Sequence, residues 1–245
     1  MSEIKRAMIL AAGLGTRMAP LTLEKPKPLI ALNGKPLIDY CIDRLIQNGI
    51  NFIVVNVHYL ADQIIAHVQA RQAREKNVEF RISDERDAIL ESGGGIARSL
   101  SHFNGEPFLT YNSDSLWVEG MGSAIGRMKT RWNAENMDAL MLLAPCTRAI
   151  GYEERGDFLM DPWGALKRRP ERDLAPFVWT GLQIVHPRLF EGAPSGRFSI
   201  NPLWDKAMAK GRLYGVRLDG VWIHVGTPQG LEDAENFMRD LAREP

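Results

Sequence analysis

Apolar segments alternate with amphipathic segments over about the first 145 residues, and this alternation limits the possible folds strongly. Two amphipathic stretches, residues 36–48 and 61–73, have the apolar spacing of helices with one buried face. Their neighbours are nearly continuous apolar runs, as is typical of strands covered on both faces. The candidate strands are residues 7–11, Phe52–Val57, 78–82, 108–111 and 139–143. This order predicts an α/β fold, a Rossmann-like three-layer sandwich with a mainly parallel mixed sheet between helices.

After Pro145 the apolar segments become shorter, and glycines separate them. Thr227 and Pro228 then form a helix start, with threonine as N-cap and proline at the first helical position. Further strands are predicted at Phe158–Met160, 165–167, Phe177–Val185 and 213–218. Because no linker or internal repeat divides the sequence, we predict one domain over residues 1–245.

Composition excludes several classes of protein. The 30 basic and 30 acidic residues cancel, so we expect neither a nucleic-acid nor a membrane partner. The two cysteines, Cys41 and Cys146, are far apart and lack a partner motif. This argues against a disulfide framework or zinc site and favours a reducing, cytoplasmic location. The oligomeric state has no signal in the sequence.

A glycine-rich segment, Ala11-Ala12-Gly13-Leu14-Gly15-Thr16-Arg17-Met18, directly follows the first predicted strand. Glycines let the backbone approach a phosphate, and successive N–H groups there form an anion site. An ordinary strand-to-helix turn would use the same glycines. Met18 occupies the place of the third glycine in a dinucleotide fingerprint, which disfavours a nicotinamide dehydrogenase, and the G-K-[ST] ending of a P-loop is missing.

A second charged segment, Glu24-Lys25-Pro26-Lys27-Pro28, follows closely. Such a loop is normally a solvated surface, but two prolines stiffen the backbone around Lys27. Arg17 and Lys27 would flank the glycine turn at the carboxyl end of the first strand, where open α/β sheets bind ligands.

Three later segments each allow a structural and a functional interpretation. Three glycines in residues 91–96, E-S-G-G-G-I, are predicted to precede a helix, either as a sharp turn or as bare backbone beneath a flat base. Asp114 in Asn112-Ser113-Asp114 either caps a turn or holds a divalent cation at a strand end. Residues 222–228, W-I-H-V-G-T-P, form a strand, a turn and a helix start.

Together these segments resemble the sugar-phosphate nucleotidyltransferase family. Its hallmark, A-A-G-x-G-T-R-M-x-P-L-T followed by K-P-K-P, is present in residues 11–28. The resemblance continues in order through residues 92–96, 112–114, 155–158, Thr180-Gly181 and 222–228. Within the family, E-[ST]-G-G-G-I and a partial match to G-R-G-D-F, with Glu154 at the first position, look most like N-acetylmuramate-1-phosphate uridylyltransferases of cell-wall sugar recycling.

The resemblance implies a fold of the nucleotide-diphospho-sugar transferase type, with a nucleotide-binding half at about residues 1–145 and a sugar-binding half at about 146–245. It implies catalytic roles for Arg17, Lys27 and Asp114, the last as ligand of Mg2+. The implied nucleotide-binding residues are Ala11, Ala12, Gly13, Gly15, Thr16, Arg17, Lys27, Gly93 and Gly94. The implied sugar-binding residues are Asn112, Arg155, Gly156, Asp157, Thr180 and Gly181.

One position departs from the family pattern W-x-D-x-G-T, because His224 replaces its aspartate. Imidazole is a poor ligand for magnesium and a better one for softer divalent metals. Either the metal site is altered toward Mn2+ or Co2+, or Asp114 and nucleotide oxygens suffice, or activity is reduced.

The resemblance implies joining of a nucleoside triphosphate to a sugar 1-phosphate with release of pyrophosphate. UTP and N-acetylmuramic acid 1-phosphate are the favoured substrates. The alternatives are a mannose-1-phosphate guanylyltransferase, a glucose-1-phosphate thymidylyltransferase and a non-catalytic sugar-nucleotide sensor. Intact Arg17, Lys27 and Asp114 oppose the sensor.

Overall fold

A nine-stranded mixed sheet forms the centre of the computed structural model, which describes residues 3–243. Two small sheets accompany it, one of three strands and one of two. The strands are β1 (Arg6–Leu10), β2 (Ala31–Leu32), β3 (Lys35–Pro36), β4 (Phe52–Val57), β5 (Glu79–Asp84), β6 (Phe108–Asn112), β7 (Ser115–Glu119), β8 (Ala139–Pro145), β9 (Ala149–Ile150), β10 (Phe158–Met160), β11 (Leu166–Arg168), β12 (Phe177–Val185), β13 (Leu213–Arg217) and β14 (Gly220–His224). The helices are α1 (Leu37–Gln47), α2 (Ala61–Arg74), α3 (Glu91–Ser99), α4 (Ala124–Arg131), α5 (Asn201–Ala209) and α6 (Pro228–Leu241).

Four parallel strands, in the order β5-β4-β1-β6, form the first part of the central sheet. The long strand β12 continues the sheet antiparallel to β6 and also pairs antiparallel with β8, to which β13 is parallel. Because β1, β4 and β6 run in one direction, their carboxyl ends share an edge. Leu10 at the end of β1 lies between Asn56 of β4 and Asn112 of β6.

Alternate side chains of the strands supply two separate cores. Ala7 and Ile9 of β1 belong to a cluster with α1, α2 and α4. Met8, between them, belongs to a cluster with α3 and α5 on the other face. The predicted three-layer sandwich with a mixed, largely parallel sheet is therefore confirmed. None of the helices within residues 3–243 has the length and apolar character needed to cross a membrane.

The last helix covers a separate small sheet of order β7-β14-β9. Met18, Ile223 and Val225 are buried there with Ala234 of α6. Antiparallel pairing of β7 with β14 sets His224 opposite Ser115, the residue after Asp114. This pairing brings two segments that are distant in sequence to the same edge as β1 and β6.

Candidate active site

A cleft with a volume of about 390 Å³ opens at the carboxyl edge of the parallel strands. This volume lies within the range of small-molecule sites. Its walls come from the loop after β1, the Lys27 loop, the ends of β4 and β6, and the segment between β5 and α3. The lining residues include Ala11, Ala12, Gly13, Gly15, Thr16, Arg17, Lys27, Asn56, Glu85, Leu90, Ser92, Asn112 and Asp114.

The loop after β1 turns at Gly15, whose φ of 65° is left-handed. A Cβ there would lie 3.1 Å from both Lys27 Cβ and Thr22 Cγ2, so only glycine fits easily between these loops. Thr22 Oγ1 donates a hydrogen bond of 2.9 Å to the Gly15 carbonyl. A short 3-10 helix then carries Arg17, which is exposed, while Met18 beside it is buried. The backbone that carries Arg17 is therefore held on both sides, by the Gly15 turn and by the buried Met18.

Lys27 and Asp114 meet across the cleft. Their Nζ and Oδ2 atoms are 2.5 Å apart, and their side chains are only 12% and 22% exposed. Pro26 and Pro28, both buried, hold the backbone on either side of Lys27. Burial alone would raise the pKa of the Asp114 carboxyl. The Lys27 ammonium outweighs this effect, together with His224 at the acidic pH where its ring is protonated, so the pKa of Asp114 lies below its ordinary value. The carboxyl is therefore ionised at neutral pH and paired with the Lys27 ammonium.

His224 ends β14 beside this pair, and its ring stacks on Trp222 with centroids 5.3 Å apart. Burial lowers the pKa of His224; nearby Asp114 opposes the shift, while Lys27 and Arg17 add to it. At neutral pH the ring is therefore uncharged and has a nitrogen lone pair to offer.

Asp114 lines the cleft, whereas His224 is not among its lining residues, and a cation held by both stays a prediction. Within residues 3–243 no group of three His, Cys, Asp or Glu side chains is arranged around a metal position. Mg2+ commonly takes one or two carboxylates and completes its shell with substrate phosphates and water. One carboxylate with a neutral imidazole is compatible with such an ion, and the imidazole suits a softer ion better.

Asn56 and Glu85 form a buried polar pair that the sequence interpretation missed. Asn56 Oδ1 accepts from the Ala11 backbone N–H at 2.7 Å, and its Nδ2 donates to Glu85 Oε1 at 3.0 Å. Glu85 is 1% exposed, and burial raises the pKa of its carboxyl. The one feature of the sequence that could have indicated this pair is a single asparagine, Asn56, inside the apolar run Phe52–Val57. The pair ties the ends of β1, β4 and β5 together on the floor of the cleft.

The three glycines of residues 93–95 lie inside α3, so their interpretation as a turn before a helix is wrong. The N–H groups of Gly93 and Gly94 donate to the Phe198 carbonyl at 3.0 and 3.1 Å. A Cβ on Gly93 would overlap the Phe198 ring, and one on Gly94 would overlap the Gly196 carbonyl oxygen. Each glycine thus allows α3 to pack against the 196–198 segment. The cleft wall here consists of the preceding residues, and contact of Gly93 and Gly94 with a base stays a prediction.

Gly95 has a different neighbour from the two glycines before it. Its Cβ would lie 2.9 Å from both Asn56 Nδ2 and Glu85 Oε1. A side chain at Gly95 would therefore displace the polar floor of the cleft.

Two of the predicted sugar-binding positions meet beside the cleft. Gly181 has a φ of 87°, and a Cβ there would lie 2.9 Å from Asn112 Cβ, so the backbone approaches Asn112 closely. Thr180 is fully buried, and its Oγ1 donates to the Leu142 carbonyl at 3.0 Å. Asn112 itself lines the cleft. Thr180 therefore supports the backbone rather than offering its hydroxyl to a ligand.

Arg155, Gly156 and Asp157 precede β10 and do not line the cleft. Asp157 Oδ2 accepts from the Trp179 N–H at 2.9 Å, and burial raises the pKa of its carboxyl. Gly156 N–H donates to the Tyr152 hydroxyl at 3.0 Å. Arg155 is exposed. The structure brings these three residues together, next to the start of β12.

Comparison with known proteins agrees with this geometry. The nucleotidyl transferase family matches residues 6–152. An N-acetylmuramate alpha-1-phosphate uridylyltransferase of Caulobacter vibrioides is 42% identical over 231 residues, which cover 94% of this chain and 96% of that protein. A protein of the same name from Neisseria meningitidis serogroup B is 34% identical over 232 residues, with coverage of 94% and 96%.

Solved structures support the same fold. The inositol-1-phosphate CTP transferase from T. maritima superposes with a TM-score of 0.78 at 17% identity, covering 99% of this chain and 98% of that one. A UDP-glucose pyrophosphorylase complexed with UDP-glucose gives a TM-score of 0.75 at 18% identity, with coverage of 97% and 99%. The chain belongs to the nucleotidyl transferase family and is an enzyme of the sugar-1-phosphate nucleotidyltransferase class.

The packing of α3 generates a stability prediction. Gly94→Ala should destabilise the protein by about 1–3 kcal/mol, because the added methyl overlaps a backbone oxygen that cannot rotate away. Gly126→Ala in α4 is the control, since its Cβ would meet Ser123 Cβ at an ordinary 3.4 Å. It should leave stability unchanged or raise it by about 0.5–1 kcal/mol. Urea unfolding measures both; equal stability of the two variants would contradict this packing.

Proposed function

We propose that the enzyme transfers the uridylyl group of UTP to N-acetylmuramic acid 1-phosphate and releases pyrophosphate, in cell-wall sugar recycling. The observation that carries the proposal is the meeting of Arg17, Lys27 and Asp114 in one cleft. The choice of substrates rests on two relatives that bear this activity in their names. A cytoplasmic location is part of the proposal, because Cys41 and Cys146 are both free thiols.

The reaction needs positioning and charge stabilisation more than proton transfer. A sugar phosphate is already ionised at neutral pH, so its oxygen attacks the α-phosphorus of UTP without a general base. The triphosphate lies along the loop after β1, where the N–H groups of Gly15 and Thr16 donate to its oxygens. The α-phosphorus passes through a five-coordinate arrangement, and pyrophosphate leaves opposite the attacking oxygen.

Arg17 and Lys27 stabilise the negative charge that accumulates as the two anions meet. Lys27 starts bound to Asp114 at 2.5 Å and can exchange that carboxylate for a phosphate oxygen. Asp114, released from Lys27, would then hold a divalent cation together with His224. Such a cation supplies charge neutralisation at the phosphates.

The sugar is assigned to the side of the cleft next to β12. Asn112 lines the cleft and faces the backbone of Gly181, so both can bind sugar hydroxyl or amide groups. Asp157 has a raised pKa through burial and adds a carboxyl group near the start of β12. The lactyl ether of muramic acid carries a carboxylate, for which the exposed Arg155 is the proposed partner.

A matrix of substrates tests the proposal directly. Pyrophosphate release is measured with UTP, dTTP, GTP and ATP, each against the 1-phosphates of N-acetylmuramic acid, glucose and mannose. We expect the highest kcat/KM for UTP with N-acetylmuramic acid 1-phosphate. Preference for GTP with mannose 1-phosphate, or for dTTP with glucose 1-phosphate, would overturn the substrates and leave the class of reaction intact.

Arg17 and Lys27 together form the proposed cationic clamp on the phosphates, and loss of either side chain should impair turnover. Arg17→Ala and Lys27→Ala should each lower kcat by about 10²–10³-fold, because each removes charge aimed at the transferring phosphates. Unfolding midpoints should change little for Arg17→Ala, since its side chain is exposed. Lys25→Ala, an exposed lysine two residues before Lys27, is the matched control and should keep wild-type turnover. Near-normal kcat in Arg17→Ala or Lys27→Ala would remove that residue from the clamp.

The cation assignment predicts a change of metal preference. Asp114→Asn should abolish cation-dependent turnover, because it removes the only carboxylate assigned to the ion. His224→Asp should lower the Mg2+ concentration needed for half-maximal activity, whereas wild type should favour Mn2+ or Co2+. Activity is titrated with each ion, and Mn2+ binding is followed separately by electron paramagnetic resonance. Superimposable titrations of wild type and His224→Asp would show that His224 does not contact the ion.

A further inference from the structure

Ser115 is a buried serine with two side-chain hydrogen bonds, and neither the sequence motifs nor the proposed mechanism gives it a role. It follows Asp114 directly and is 2% exposed. Its hydroxyl donates to the Thr180 carbonyl oxygen and accepts from the Trp222 indole N–H, the latter at 2.8 Å. One side chain therefore connects three segments that border the cleft.

The Thr180 carbonyl belongs to an irregular part of β12. The pairing of β12 with β8 shifts register between Trp179 and Gln183, so the residues from 180 to 182 lie opposite Leu142 alone. Thr180 Oγ1 satisfies the Leu142 carbonyl, and Ser115 satisfies the Thr180 carbonyl. The bulge also sets Gly181 against Asn112. The position of this bulge therefore determines how closely the backbone of Thr180 and Gly181 approaches the sugar side of the cleft.

The Trp222 indole connects the same hydroxyl to the β14 side. Its ring stacks on His224 at 5.3 Å and lies 5.7 Å from the Tyr152 ring. The Tyr152 hydroxyl in turn accepts from Gly156 N–H, which precedes Asp157. A displacement of Trp222 would therefore also move His224 and the segment before β10.

We propose that Ser115 is a positioning residue that fixes the bulge at Thr180 and Gly181 relative to Asp114, and so aligns the sugar 1-phosphate with the nucleotide. The proposal rests on the sugar side assigned under the proposed function. The proposal predicts that loss of the Ser115 hydroxyl weakens use of the sugar 1-phosphate more than use of the nucleotide. Loss of the hydroxyl leaves a buried carbonyl and a buried indole N–H without partners, so the bulge and β14 shift. The Ser115 hydroxyl bonds to Thr180 and Trp222, whereas the Asn56–Glu85 floor is held by its own hydrogen bonds, so the loop after β1 and the floor should keep their geometry.

Ser115→Ala tests this with steady-state kinetics in which each substrate is varied in turn. We expect KM for the sugar 1-phosphate to rise about tenfold and KM for the nucleotide to stay within about twofold. Ser99→Ala is the matched control, because Ser99 is fully buried and its hydroxyl has no hydrogen-bond partner within the described chain. It should leave both KM values unchanged.

A second variant guards against a simple folding defect. Trp222→Phe removes the indole N–H together with the five-membered ring, but it leaves the hydrogen bond from Ser115 to the Thr180 carbonyl in place. It should therefore raise KM for the sugar 1-phosphate less than Ser115→Ala does. In the double variant the two effects should not add, because both act on one hydrogen-bonded chain. Additive effects would contradict the connection through Ser115.

The proposal is overturned if Ser115→Ala changes only the unfolding temperature, or raises both KM values equally. The assay uses whichever sugar 1-phosphate the wild type turns over best. If N-acetylmuramic acid 1-phosphate is the wrong substrate, the substrate matrix of the wild type shows it. If the role of Ser115 is wrong, Ser115→Ala changes both KM values equally or changes neither.

Discussion

Parallel pairing of β1 with both β4 and β6 is the constraint on which the rest of the site depends. It sets Leu10 between Asn56 and Asn112 and so brings three chain segments to one edge of the sheet. The chain leaves β1 into the loop that carries Arg17, and it leaves β6 toward Asp114. A hydrogen bond of 3.2 Å from Ser113 N–H to the Leu10 carbonyl extends this pairing into the turn itself. The loop that carries Arg17 and the turn that carries Asp114 are therefore adjacent because of strand register.

Glycines in the site serve distinct steric purposes. Gly15 provides a left-handed turn and lets two loops approach each other. Gly93 and Gly94 have ordinary helical backbone but no room for a side chain, since the Phe198 ring and the Gly196 carbonyl fill that space. Gly181 combines both demands, with a φ of 87° and close contact with Asn112. The same residue type thus shapes the loop after β1, the α3 wall and the β12 side of the cleft through different constraints.

The sequence predicted those parts of the molecule whose information is local. Apolar runs located β1 and β4, and the motif of residues 11–28 located Arg17 and Lys27 on loops beside the first strand. It could not reveal the pairing of β7 with β14, because antiparallel partners about 100 residues apart leave no periodic signal. Nor could it distinguish glycines before a helix from glycines inside one, since the decisive neighbour, Phe198, is remote in sequence. Asn56 and Glu85 were missed for the same reason.

The arrangement of charges explains how a chain without net charge forms a site for two polyanions. Lys27 and Asp114 neutralise each other in the absence of substrate, which limits the cost of holding either charge in a partly buried place. His224 adds no charge at neutral pH, because burial lowers its pKa. Arg17 is exposed on the cleft and forms no ion pair within the described residues, so it remains as uncompensated positive charge beside the loop N–H groups. Under the proposed function, attraction of anions would therefore come from the Arg17 guanidinium and the backbone N–H groups of the loop. Under the proposed function, a phosphate that displaced the Asp114 carboxylate from Lys27 would free a second cationic group and a cation ligand together.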